Sequence, residues 1–78
     1  MKLNEMTLEV LHQTYYKEKG HSIVDIIIIG DFEVEKEIDM IYVIKKNCNL
    51  IIDDDEFRAK IVEFCAGDGT ICIKFRIL

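Results

Sequence analysis

The sequence predicts an α+β fold: a two-layer α/β sandwich in the order α-β-β-β-α-β, with a mainly antiparallel four-stranded sheet and both helices on one face. Three observations carry that expectation. Apolar residues recur at helical spacing behind plausible caps near Asn4 and Asp53. A β-branched run, Ser22–Ile29, precedes Gly30. Two later stretches, from Phe32 and from Thr70, alternate with period two. The 78 residues are 50% hydrophobic and 32% charged, so the chain reads as one globular domain, residues 1–78.

The first helix is expected over about Asn4–Lys19. Asn4 suits the N-cap, and Leu3 and Leu8 the two positions of a hydrophobic staple. Leu3, Met6, Val10, Leu11 and Tyr15 share one side, and Gly20 suits the residue beyond the C-cap. Ser22–Ile29 follows as an internal strand, apolar at both parities except for Asp25. Gly30–Asp31 reads as a two-residue turn. A long strand comes next, with Phe32, Val34, Ile38, Met40, Tyr42 and Ile44 on one parity and Glu33, Glu35, Glu37 and Asp39 on the other. Leu50–Ile52 is a short third strand. In the second helix Asp53 and Glu56 form a capping box, and Phe57, Ile61, Phe64 and Cys65 form an apolar stripe. Asp68–Gly69 turns the chain into the last strand, Thr70–Leu78, which is placed beside Ser22–Ile29 in the order 4-1-2-3.

Charge bounds the function. Ten Lys+Arg against fifteen Asp+Glu give a net −5, which argues against direct nucleic-acid or anionic-membrane binding. Asp31–Glu56 holds nine acidic and three basic residues, a net −6, so the whole excess lies in the middle third. On a regular strand Glu33, Glu35, Glu37 and Asp39 would stand about 6.7 Å apart, on the scale of successive nucleic-acid phosphates. With Asp53, Asp54 and Asp55 they are the candidate partner-binding set, facing a basic surface on another protein, which could itself be a nucleic-acid-binding protein. The opposing explanation is a solvated face that protects a strand edge. The Asp53–Glu56 run is accounted for by capping and the helix dipole; it lacks the alternating ligands and glycine of a calcium loop.

Ile27, Ile29, Ile41 and Val43, beside Cys72, are expected to share the sheet face left uncovered by helices, with Lys45, Lys74 and Arg76 at its basic end. Such a patch is usually covered, so a homodimer through these four residues is the alternative expectation. Cys48, Cys65 and Cys72 lack zinc-ligand spacing and are odd in number, so all three are expected as reduced thiols, with Cys65 in the core. No nucleophile–base pair or phosphate loop is present, so the chain is expected to be no enzyme and to need no cofactor or metal. A small metal- or thiol-dependent enzyme built on the acidic cluster or Cys72 is the least favoured reading.

The N-terminus shows no leader pattern and the chain no apolar run long enough to span a bilayer, so a cytoplasmic protein is expected. Fourteen isoleucines, no Pro and no Trp are the composition of an AT-rich genome. Size, acidity and the lack of catalytic motifs fit the class of small phage or mobile-element inhibitors, anti-CRISPR-like or DNA-mimicking, although no motif ties the chain to one family. If so, its compartment is the host cytoplasm.

Overall fold

The computed structural model describes residues 1–44 and 47–78. It corrects the expected sandwich. Seven antiparallel strands form one curled sheet, a half-barrel, and a single helix among the described residues packs into it. The strands are β1 (Lys2–Leu3), β2 (Met6–Thr7), β3 (Glu9–Glu18), β4 (His21–Ile29), β5 (Cys48–Ile52), β6 (Asp55–Gly67) and β7 (Thr70–Ile77); helix α1 is Phe32–Val43. Their spatial order is β2-β1-β5-β6-β7-β4-β3. Three expected strands are present, β4, β5 and β7, and β4 and β7 pair side by side, Val24 opposite Phe75 and Ile28 opposite Ile71.

The first expected helix, about Asn4–Lys19, is instead two strands, β2 and β3. Val10, Thr14, Tyr15 and Tyr16 are strand-favouring residues, and their alternation is blurred for a physical reason. As the outermost strand, β3 is mostly exposed on both sides, and its register shifts between Val10 and His12. Lys19–Gly20 is the two-residue turn to β4, both at positive φ, rather than a helix end.

The expected strand from Phe32 is instead α1. Asp31, read as a turn residue, is the N-cap: its Oδ1 accepts from the Val34 N–H at 3.1 Å. Glu33 and Glu35 lie in the first turn, where the helix dipole favours carboxylates. Val34, Ile38 and Ile41 stand at i, i+4 and i+7 and form the inward stripe, with Ile38 and Ile41 buried. The period-two pattern was a coincidence of these apolar positions with others that face out. Lys45 lies outside the described residues.

The expected second helix is a hairpin. Asp53 and Asp54 occupy its two-residue turn at φ 50° and 69°, and the chain returns along β6 paired to β5. Phe57, Ile61 and Phe64 do turn toward the core, although on a strand. A four-residue step keeps parity on a strand and a three-residue step breaks it. The register shift between Ile61 and Glu63 restores it by adding one residue. The bulge thus gives a strand the spacing of a helix. Cys65 falls out of that stripe and is exposed, whereas Cys48 is buried with its thiol donating to the Ala59 carbonyl at 3.4 Å.

The core is the concave face of the sheet closed by α1. Leu3, Val24, Ile26, Ile28, Leu50, Ile61, Ile71, Ile73 and Phe75 meet Ile38 and Ile41 there, and no charged or polar residue is buried among the described residues. Tyr42 meets Phe64 edge to face, ring centroids 5.6 Å apart at 75°, which fixes the C-terminal half of α1 over β6. At the other end the chain leaves β4 through Gly30, whose N–H donates to the Gly69 carbonyl at 3.0 Å. A side chain at position 30 would fall inside the contact distance of Ile71.

Candidate functional site

With Val34, Ile38 and Ile41 turned inward, α1 must present its remaining residues to solvent. At about 100° per residue, Phe32, Val43, Lys36 and Met40 fall within roughly 80° of one another on the outer side. Phe32 is 73% exposed, Val43 65% and Met40 46%, and Ile44 continues the strip past the helix at 68%. Carboxylates flank it on both sides. Glu33 and Glu37 lie one turn apart along one flank, and Glu35 and Asp39 along the other. All four are exposed. The surface is therefore an apolar strip bearing one lysine between two short acidic rows, rather than the single line of four anions that a strand would give.

Like charges at i, i+4 cost a helix about 0.2–0.5 kcal/mol per pair, and α1 carries two such pairs. Lys36 stands three residues from both Glu33 and Asp39 and offsets part of this. Among the described residues the one ion pair is elsewhere, Lys74 to Glu18 at 3.1 Å.

The rest of the candidate acidic set is not at this surface. Asp53, Asp54 and Asp55 lie at the β5–β6 turn, the end of β6 opposite Gly67, whereas α1 starts beside the Gly67–Gly69 end. Their field is felt on β3 instead. Tyr15 has its pKa raised by burial first, and then by Asp53 and Asp55. The acidic residues thus divide into a helix patch and a turn patch.

The four residues of the candidate dimer interface also separate. Ile27 and Ile29 lie on the outer face of β4, away from α1. Ile41 is buried beneath α1, and Val43 is on its exposed side. The outer sheet face that holds Ile27 is polar around it. Tyr16 donates to Asp25 at 2.7 Å, which raises the pKa of the tyrosine; Asp25 stands opposite Lys74, and Cys72 opposite Ile27. The hydrogen bond to Glu18 is the main cause of a raised pKa at Lys74. A concavity of about 580 Å³ opens here, lined by His12, Asp25, Ile27, Glu63, Cys65 and Cys72 among others. Among the described residues no group of three His, Cys, Asp or Glu could hold a metal, and no helix is long and apolar enough to cross a membrane.

Sequence reasoning did single out the four acidic residues of α1, but on the wrong element. Asp31 three residues before Val34, with acids directly behind it, was the signal that could have placed them on a helix. The opposition of Cys65 and Cys72 could be found only once the β6–β7 hairpin was in hand. No family model, curated protein or solved structure matches this chain.

Proposed function

We propose that the protein is a non-enzymatic interaction module, an inhibitor or adaptor of the kind carried by phages and mobile elements, that docks the outer side of α1 on a host protein. The observation that carries this reading is the strip of exposed Phe32, Met40 and Val43 between two carboxylate rows on one helix. Isolated exposed apolar residues are ordinary, but several aligned on one helix face fit a helix-in-groove contact. The framing carboxylates select a groove with a basic rim, the property of a nucleic-acid-binding protein. They raise the association rate, while Phe32 and Val43 supply the desolvated centre.

The test is affinity capture from a host lysate with three baits: wild type, Phe32→Ala with Glu33→Gln, Glu35→Gln and Glu37→Gln, and Ile27→Lys. A basic host protein held by wild type and Ile27→Lys, lost by the α1 variant, and released by moderate salt is the expected outcome. Equal capture by all three baits would exclude α1 as the docking surface.

A further inference from the structure

We infer that Cys65 and Cys72 form a reversible redox pair on the outer face of the sheet, which a low-molecular-weight disulfide converts to an intramolecular cross-strand disulfide. The two residues stand directly opposite each other in the β6–β7 ladder. Both are exposed and both are free thiols. Directly opposed residues of an antiparallel pair have Cβ atoms about 4.5–5.5 Å apart, and a disulfide needs about 3.5–4.5 Å, so a slight increase of hairpin twist closes the gap.

The hairpin sets the character of the bond. Asp68–Gly69 is a two-residue turn at positive φ, so Gly67 and Thr70 form its closing hydrogen-bonded pair. Hydrogen-bonded and non-hydrogen-bonded pairs alternate, which makes Cys65–Cys72 a hydrogen-bonded pair, the class with the wider separation. A disulfide there carries some strain, and strained exposed disulfides are the readily reduced ones. Access is not limiting, because both thiols line the open concavity with His12, Asp25, Ile27 and Glu63. Burial and the neighbouring Cys65 thiol hold the Cys72 pKa up, so the thiolate needed for attack is scarce at neutral pH and the exchange is slow without being blocked.

The chemistry balances without another reagent. One protein thiolate attacks a sulfur of the small disulfide, expels the first small thiol and leaves a mixed disulfide. The second protein thiolate attacks the protein sulfur of that bond and expels the second small thiol. Two hydrogens leave the protein and appear on the two released thiols. Cys48 takes no part: it is buried on the other face of the sheet.

The experiment is anaerobic equilibration of the full chain with oxidised and reduced glutathione at a series of ratios, acid quenching and peptide mapping. Wild type is expected to lose two hydrogens, to yield one linked Cys65–Cys72 peptide pair, to retain no glutathione, and to return to the dithiol with dithiothreitol. Cys65→Ser and Cys72→Ser are each expected to hold one glutathione, at an oxidised-to-reduced ratio about tenfold higher or more, because neither has the intramolecular second step. Wild type that retains glutathione on either cysteine, links two chains, or stays unreacted through the series would overturn the assignment. The pair lies on the opposite face of the sheet from α1, so this result is independent of partner binding.

Discussion

Replacing Ile38 and Phe32 by alanine, separately, distinguishes the helix from the strand that alternation suggests. On a strand the two residues share parity and would share a face. On α1 they are six residues apart and diverge by about 120°. Ile38 is 0% exposed and Phe32 73%. Ile38→Ala removes three carbon groups, worth about 2.4 kcal/mol at roughly 0.8 each, and leaves a cavity, so about 3–4 kcal/mol is expected. A chain of this size holds roughly 4–12 kcal/mol in all. The loss should lower Tm by about 12–30 °C. Phe32→Ala should change stability by less than about 0.5 kcal/mol, as for other exposed sites. Urea denaturation under reducing conditions, followed by circular dichroism with m-values compared, reads both changes. A Phe32→Ala cost within 1 kcal/mol of the Ile38→Ala cost would refute the helical register and the docking surface that depends on it.

Other consequences are equally concrete. Glu33→Gln with Glu35→Gln should destabilise the fold by a net amount of up to about 1 kcal/mol at low salt, because the lost interactions with the positive end of the α1 dipole, about 0.3–1 kcal/mol each, outweigh the relief of two like-charge pairs at about 0.2–0.5 kcal/mol each; on a strand the same change would only relieve repulsion and stabilise. Asp53→Asn with Asp54→Gly should stabilise by about 1 kcal/mol in chemical denaturation, since both residues hold positive φ in a turn that favours Asn-Gly. Burial pushes the Cys48 thiol up to about 11 from an ordinary value of 9.0. A raised thiol pKa stabilises the fold below the unfolded value and loses that contribution as pH rises through the folded one, so stability should decline between about pH 9 and 11, and less steeply in Cys48→Ala. At pH 8 iodoacetamide should alkylate native Cys48 about a hundredfold more slowly than an unfolded cysteine, from the thiolate fraction alone. Equal rates would place the thiol at the surface.

What the sequence made legible follows burial. β4 and β7 lie in the interior of the sheet, and their isoleucine runs and the alternation from Ile71 to Ile77 reflect that position directly. β3 is an edge, so little of its pattern is imposed by packing, and Leu11 and Tyr15 are both 55% exposed. The two exchanged assignments have separate causes. In β6 the bulge beside Val62 gives a strand the four-then-three spacing of a helix. In α1, outward Phe32 and Met40 fall into step with inward Val34 and Ile38 and imitate a strand. The acid-rich segment was visible as charge, but its arrangement as two flanking rows exists only on a helix. Cys65 was assigned to the core for the same reason: the bulge that keeps Phe64 inward turns Cys65 outward, opposite Cys72, which stands on the outer face as expected.

The docking claim is tested most directly by photo-crosslinking in host cells, with a benzophenone side chain placed in turn at positions 32, 43, 27 and 29. Positions 32 and 43 lie on the outer side of α1, and 27 and 29 on the outer face of β4. The account predicts one discrete adduct to a basic host protein from positions 32 and 43, weakened by Glu33→Gln, Glu35→Gln and Glu37→Gln, and none from 27 or 29. An adduct from 27 or 29 alone, or one between two copies of this chain, would contradict it.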